Sequence, residues 1–314
     1  MIRLSFIVPF YNVEPYIEEC IRSLYNQDIP QSEYEVICVD DCSPDGSRAI
    51  VERLQKEYST LRLLTTRENL RQGGARNLGL KEAKGEYVWF VDSDDSIKSN
   101  CLGKLQHTAE DNNLDVLKFY YEPQSRKVEM FTSNVMRGTE LIFDVNTGEA
   151  PMEKCCTVWC QLIKKKLIEE HNISFVEHVQ YEDDDYVYQI FAQANRAMLI
   201  GERLYFVRET PNSTTRRKND IRRANDMYAQ AIRFTALAPV LAKVDMRWME
   251  LSKRYIQEII NNQVFKIMQD CSFGEQVYFW LRNKKDVRKL KPYLSYRSYA
   301  KLLIYLLWVL LQRK

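Results

Sequence analysis

The run Val88-Trp89-Phe90-Val91-Asp92-Ser93-Asp94-Asp95 sets an all-apolar strand directly before three carboxylates in four positions. An unbroken apolar run after Gly85 reads as a central strand buried on both faces. The carboxyl end of such a strand is where open α/β sheets receive ligands. Carboxylates this close repel one another, and a hard divalent cation that itself holds substrate phosphates would relieve the repulsion.

On either side of this strand, over residues 4–120, strand-like runs alternate with amphipathic helical patterns. Strands are expected at 4–8, 36–40, 61–65, 87–91 and 116–120. Helices are expected over 15–26, around Ile50, Val51 and Leu54, and through Leu78 and Leu80. That alternation predicts a doubly wound parallel sheet with crossover helices. Past residue 120 the pattern loosens. Residues 126–147 read as a hairpin or extended insertion, 158–163 as a strand and 164–171 as a helix. Glu182-Asp183-Asp184-Asp185 opens another helix, short strands follow at 197–200 and 204–207, and the chain beyond 219 reads as mainly helical.

Composition narrows the function classes. A chain of 314 residues, 45% of them hydrophobic, has the length of about two domains and can bury a full core. Its formal net charge of +2, with basic residues spread rather than gathered in one tract, argues against a nucleic-acid partner. Eight cysteines and an N-terminus that enters a core-like strand without a cleavable signal predict reduced thiols and a cytoplasmic location. Cys155, Cys156, Cys160 and His171 lack the paired spacing of a zinc site. None of the three histidines, His107, His171 and His178, stands in a metal or nucleophile motif.

Residues 302–311 are ten uninterrupted apolar side chains, too few to span a bilayer, which takes about 20. Tyr296, Arg297, Tyr299, Lys301, Trp308, Arg313 and Lys314 around them resemble the flanks of an interfacial helix over 296–314. The alternative is a terminal helix docked on the domain or on a second subunit.

Four further groups carry chemistry. Val8-Pro9-Phe10-Tyr11-Asn12 and Val39-Asp40-Asp41-Cys42-Ser43 end the first two strands with a ring, an amide and carboxylates. A carboxylate accepting a base N–H beside an aromatic ring would select a pyrimidine nucleotide; Asp41 and Ser43 as mere turn formers is the plainer reading. Asn69-Leu70-Arg71-Gln72-Gly73-Gly74-Ala75-Arg76-Asn77-Leu78-Gly79 couples glycines to a guanidinium that would meet phosphate or pair with the Asp92–Asp95 group. No G-x-x-x-x-G-K-[ST] or G-x-G-x-x-G loop supports an NTPase or dinucleotide reading. Asp95 is expected to cap a helix starting near Ser96. Glu182 to Asp185 suit a helix N-terminus, which by itself accounts for one or two of the four. Arg208, Arg216, Arg217, Lys218, Arg222 and Arg223 would face a diphosphate or an anionic lipid-linked acceptor, or simply form a solvated face.

The motifs S-F-I-V-P-F-Y-N at 5–12, V-D-D-C-S-P-D-G-S at 39–47, N-L-R-Q-G-G-A-R-N-L-G at 69–79 and G-E-Y-V-W-F-V-D-S-D-D at 85–95, in this order, closely resemble family 2 glycosyltransferases of the GT-A fold. The resemblance implies a mixed-sheet GT-A domain over 1–215, with a nucleotide-sugar half at 1–120 and an acceptor-binding region at 121–215, then a helical region over 216–314. It implies a UDP-sugar donor held by Pro9, Tyr11, Asn12, Asp41, Asn69, Arg76, Asp92 and Ser93. Asp92-Ser93-Asp94 matches the family's D-x-D motif, in which Asp94, with Asp92, would bind Mn²⁺ or Mg²⁺. A weaker similarity at the E-D pair before a helix implies Asp183 as general base with Glu182 beside it, Asp184 being the rival. Trp159 and Tyr181 would line the acceptor sugar, although core packing explains either ring equally well. The expected reaction is inverting transfer of a hexose or N-acetylhexosamine to a hydroxyl of a growing glycan or lipid-linked glycan, peripheral to the inner face of a bacterial membrane. Transfer to a polyprenyl phosphate, or nucleotide-sugar binding without turnover, are the other readings.

Overall fold

The structure is a computed structural model that describes residues 1–122, 132–142, 157–210 and 219–311. It divides into two compact units, Met1–Thr210 and Pro211–Lys314.

The first unit runs β1 (Leu4–Phe10), α1 (Ile17–Tyr25), β2 (Tyr34–Asp40), α2 (Ser47–Leu54), β3 (Leu61–Thr65), α3 (Arg71–Glu82), β4 (Tyr87–Phe90) and β5 (Ser96–Ile97). It continues through α4 (Leu102–Asp111), β6 (Val116–Glu122), β7 (Thr132–Met136), α5 (Gly138–Ile142), β8 (Gln161–Lys164), α6 (Lys165–Glu170), α7 (Asp183–Gln193) and β9 (Ala197–Phe206). The sheet order is β3-β2-β1-β4-β8-β6-β9-β5, with β7 paired to β9. The first four strands in that order are parallel. β8 then enters between β4 and β6, antiparallel to both, so the sheet as a whole is mixed.

Every residue of β1, β2 and β4 is buried, as continuous apolar runs flanked by crossover helices require. Phe6 and Trp89 pack with ring centroids 5.4 Å apart, and Trp89 meets Phe119 edge-on at 4.8 Å. The Trp89 indole N–H donates to the Trp159 carbonyl at 2.7 Å, which satisfies its one polar atom inside the core.

Several expectations are corrected. Ser96 opens a short strand on β9, not a helix; the next helix begins at Leu102, so Asp95 is not a helix cap. The two short strands expected at 197–200 and 204–207 are one strand, whose bulged pairing with β6 carries it past Gly201. Within 126–147 the described part is β7 and α5; residues 126–131 and 143–147 lie outside the described residues, as do Cys155 and Cys156. Cys160 is buried.

The second unit is helical: α8 (Ile221–Leu241), α9 (Arg247–Glu258), a π-helical stretch (Ile259–Val264), α10 (Phe265–Asp270), α11 (Phe273–Asn283), α12 (Val287–Leu290) and α13 (Tyr296–Leu311). Asp220 caps α8 by accepting from the Arg223 N–H at 2.8 Å, and Ser272 with Glu275 forms a capping box on α11. Trp248, Trp280, Phe279 and Tyr228 centre its core. Of the described helices, none is long and apolar enough to cross a membrane. Arg216, Arg217, Lys218, Arg313 and Lys314 fall outside the described residues.

Candidate functional site

The carboxyl ends of β1, β2 and β4 converge with the start of α3, and three tight turns shape that edge. Asn12, Cys42 and Arg71 each take positive φ, of 56°, 65° and 61°, which turns the chain sharply after β1 and β2 and at the entry to α3. Pro9 is buried in β1, whereas Tyr11 and Asn12 are exposed just beyond it. The Asn12 N–H donates to the Ser43 hydroxyl at 3.3 Å, tying the two loops together. Asp41 is buried; its Oδ1 accepts from the Thr66 hydroxyl and the Leu70 N–H, both at 2.9 Å. The Asn69 amide donates to the Asp41 carbonyl at 3.1 Å, so this side chain shapes the loop that carries Asp41.

Arg76, on α3 and 2% exposed, is the centre of the site. One end of its guanidinium donates to Asp92 Oδ1 at 2.7 Å and the other to Glu182 Oε1 at 2.5 Å. The structure therefore realises the ion pair among the two sequence readings of Arg76. It also joins the two acidic groups, ninety residues apart in sequence, through one side chain. Burial opposes the Arg76 charge, but Asp92, Glu182 and Asp183 together hold it firmly ionised.

The chain between these groups is stitched to α3. The Asn77 side chain accepts from the Phe175 N–H at 2.9 Å and donates to the Phe175 carbonyl at 3.0 Å. The Phe175 ring lies 5.3 Å from the Arg76 guanidinium and stacks on Tyr186 of α7 at 3.8 Å. Gly73 is required at this crossing: a Cβ there would stand 2.5 Å from the Val176 carbonyl oxygen and 3.2 Å from the Glu182 side chain.

Glu182 is buried directly before α7, and Asp183, its first residue, is partly exposed. Burial, with Asp184 and Glu182 alongside, pushes the Asp183 carboxyl well above the ordinary carboxylate range. Tyr181 takes φ 58° and is partly exposed. Trp159 is half-buried, stacked 4.4 Å from Tyr205 and edge-on to Tyr121 at 4.9 Å.

A second brace holds the Asp92–Asp95 turn from β9 and the residues after it. The buried Tyr205 hydroxyl accepts from the Asp92 N–H at 3.0 Å and donates to Asp95 Oδ2 at 2.8 Å. The Arg208 N–H donates to Asp95 Oδ1 at 2.7 Å, and its guanidinium to the Asp94 carbonyl at 3.0 Å. Asp95 thus anchors the turn to β9, the role it has in place of a helix cap. Its carboxyl is pushed up to about 8 by burial, Asp92 and Asp94. Asp94 is raised by burial and Asp92, with the Thr210 hydroxyl 3.5 Å from its Oδ2. Ser93 is buried between them. Sequence reasoning missed Phe175, Asn77 and Tyr205; a tyrosine among strand apolars gives no signal of its partner.

Among the described residues no three His, Cys, Asp or Glu side chains converge on a cation cage. Asp94 and Asp92 are hard oxygen donors, and burial with the charge of Asp92, itself paired with Arg76, raises the proton affinity of Asp94. That fits a Mg²⁺- or Mn²⁺-type ion completed by substrate phosphates rather than an all-protein site.

Residues 5–171 match the family described as Glycosyl transferase family 2. The chain belongs to that family. This family 2 chain is 35% identical over 219 residues to the uncharacterized glycosyltransferase EpsJ of Bacillus subtilis, covering 68% of the chain and 62% of EpsJ. It is 30% identical over 217 residues to TarS of Staphylococcus aureus, a poly(ribitol-phosphate) beta-N-acetylglucosaminyltransferase, covering 66% of the chain and 35% of TarS. It thus spans less than two thirds of either relative. TarS 1-349 in complex with UDP-GlcNAc superposes with a TM-score of 0.67 at 24% identity, over 92% of the chain and 82% of TarS 1-349. Mannosyltransferase PcManGT from Pyrobaculum calidifontis, in complex with GDP-Man and Mn²⁺, superposes with a TM-score of 0.53 at 21% identity, over 99% of the chain and 86% of its own. These superpositions show the GT-A fold.

Proposed function

We propose that this family 2 chain is an inverting glycosyltransferase that moves a hexose or N-acetylhexosamine from a UDP-sugar to a hydroxyl of a growing glycan or lipid-linked glycan. The observation that carries the reading is Arg76 clasping Asp92 and Glu182, because it brings the acid proposed to face the diphosphate together with the acid proposed to adjoin the acceptor. The likeness to TarS, whose structure holds UDP-GlcNAc, supports a UDP-linked donor.

The uracil would rest against Tyr11 between the β1 and β2 loops, with Pro9 and Asn12 fixing the turn. Asp41 would accept a base N–H with Oδ2, since both of its bonds fall on Oδ1. Asn69 would act through the loop it holds. Asp94 and Asp92 would hold Mn²⁺ or Mg²⁺, which supplies positive charge against the leaving diphosphate. Ser93 would face the ribose side of the same turn. Arg76 would orient Asp92 rather than touch phosphate. Asp183 would take the proton from the acceptor hydroxyl as it attacks the anomeric carbon; its raised proton affinity suits a base. Glu182 would keep Asp183 in place from its seat on Arg76, and Trp159 and Tyr181 would line the acceptor.

Release of UDP from UDP-GlcNAc and related donors, measured with Mn²⁺ and with chelator, tests the reading. Asp94→Ala is expected to slow metal-dependent turnover by at least about a hundredfold, the scale of losing one preorganised electrostatic contact. Undiminished turnover in Asp94→Ala, or none by the wild type with any UDP-sugar, would contradict it.

A further inference from the structure

The net charge of +2 conceals a partition that becomes visible only at the boundary between the units. Met1–Thr210 carries 24 Lys and Arg against 35 Asp and Glu, a formal −11, whereas Pro211–Lys314 carries 21 against 8, a formal +13. The two units carry similar numbers of basic residues; the partition comes from the acids, 35 in the first unit against 8 in the shorter second one.

The same basic unit ends in α13, a helix of 16 residues with two unlike faces. On one, Leu302 is buried and the Tyr305 ring lies 5.5 Å from Phe265 and 6.3 Å from Trp280, so the helix docks on its own unit. Arg297, Lys301, Ile304, Trp308 and Leu311 recur at spacings of four, three, four and three, which places them on one stripe. All five are exposed, Ile304 by 64% and Leu311 by 71%, with Leu307 beside them, although Lys301 lies 4.3 Å over the Phe265 ring and Trp308 meets Phe273 edge-on at 5.0 Å. The stripe is cationic in its first turns and apolar with a tryptophan in its last. Exposed Lys284, Lys285, Arg288 and Lys291 lead into it.

We infer that the Pro211–Lys314 unit docks on an anionic lipid bilayer, with the apolar end of the α13 stripe entering the interface and the surrounding Lys and Arg meeting headgroups. A cationic field draws the unit to negative lipid, and aliphatic side chains with a tryptophan add the insertion energy that charge alone does not supply. A second copy is the poorer occupant, because pairing this face with itself would bring +13 against +13. Nucleic acid would answer the charge but leave Ile304, Leu307 and Leu311 without a partner. The inference stands apart from sugar transfer, and its test does not use turnover.

The test is flotation of the full chain with vesicles of phosphatidylcholine alone or mixed with phosphatidylglycerol, at low and high salt. Binding to the mixed vesicles only, weakened by salt, is expected. Ile304→Glu with Leu311→Glu should reduce it by more than about tenfold, the loss of two buried aliphatic anchors. Both sites are exposed, so an unchanged melting temperature will show that this variant folds. Lys284→Glu with Lys285→Glu should weaken binding to the mixed vesicles. Absence of wild-type binding, equal binding by the Ile304/Leu311 variant, or equal binding to neutral vesicles would overturn the inference. So would sedimentation showing a dimer that this variant dissolves, or binding of a mixed-sequence RNA in preference to vesicles.

Discussion

Arg76 sits at the balance between stability and chemistry. A buried guanidinium shared by two carboxylates offsets desolvation only while both partners stay, and removing it strands two acids in a poorly hydrated place. Arg76→Met is therefore expected to cost about 3 to 5 kcal/mol in urea unfolding. A loss below about 1 kcal/mol, the worth of an exposed pair, would show that the clasp is not buried in solution. As the proposed base, Asp183 is expected to set the pH dependence. Only its ionised form accepts a proton, and its proton affinity is raised, so kcat/KM should climb with rising pH through a midpoint well above the ordinary carboxylate range and be lost below it. Asp183→Asn should lower turnover and flatten that limb. A limb unchanged in Asp183→Asn but abolished in Asp184→Asn would move the base to the next residue.

At the scale of elements, the site depends on how closely α3 approaches the chain leading into α7. Gly73 has no room for a methyl group, since the nearest atom is a backbone carbonyl that cannot rotate away. Gly73→Ala is expected to destabilise by about 1 to 3 kcal/mol, an overpacking cost, and to slow donor turnover by displacing Glu182. Thermal melting and UDP release measured together check both effects; a variant equal to wild type in each would contradict the crossing. The parallel strands β1, β2 and β4 were legible because strands buried on both faces are rich in apolar residues, and the acidic tips stood out directly after them. The insertion of β8 was not legible: an antiparallel neighbour leaves no mark in a short apolar run. Asp95 was misread because an Asp before a polar residue satisfies the rule for a helix cap as well as it satisfies Tyr205 and the Arg208 N–H. The link from Arg76 to Glu182 crosses 106 residues and depends on tertiary packing alone.

At the scale of the whole molecule, an acidic unit built on a mixed sheet is followed by a basic helical one, each with its own core. The motifs that identify the family lie in the first unit, whereas the charge partition needed the unit boundary before it could be counted. The central claim is that Arg76 unites a metal-and-diphosphate edge with an acceptor base in one site. Crystals soaked with Mn²⁺ and UDP test it most directly. The account predicts anomalous density for manganese at the Asp94 carboxylate, the uracil beside Tyr11 and Asp41, and the Asp92–Arg76–Glu182 clasp intact with Asp183 facing the same cleft. UDP bound elsewhere, or Asp183 opening onto a surface separate from the diphosphate, would contradict it.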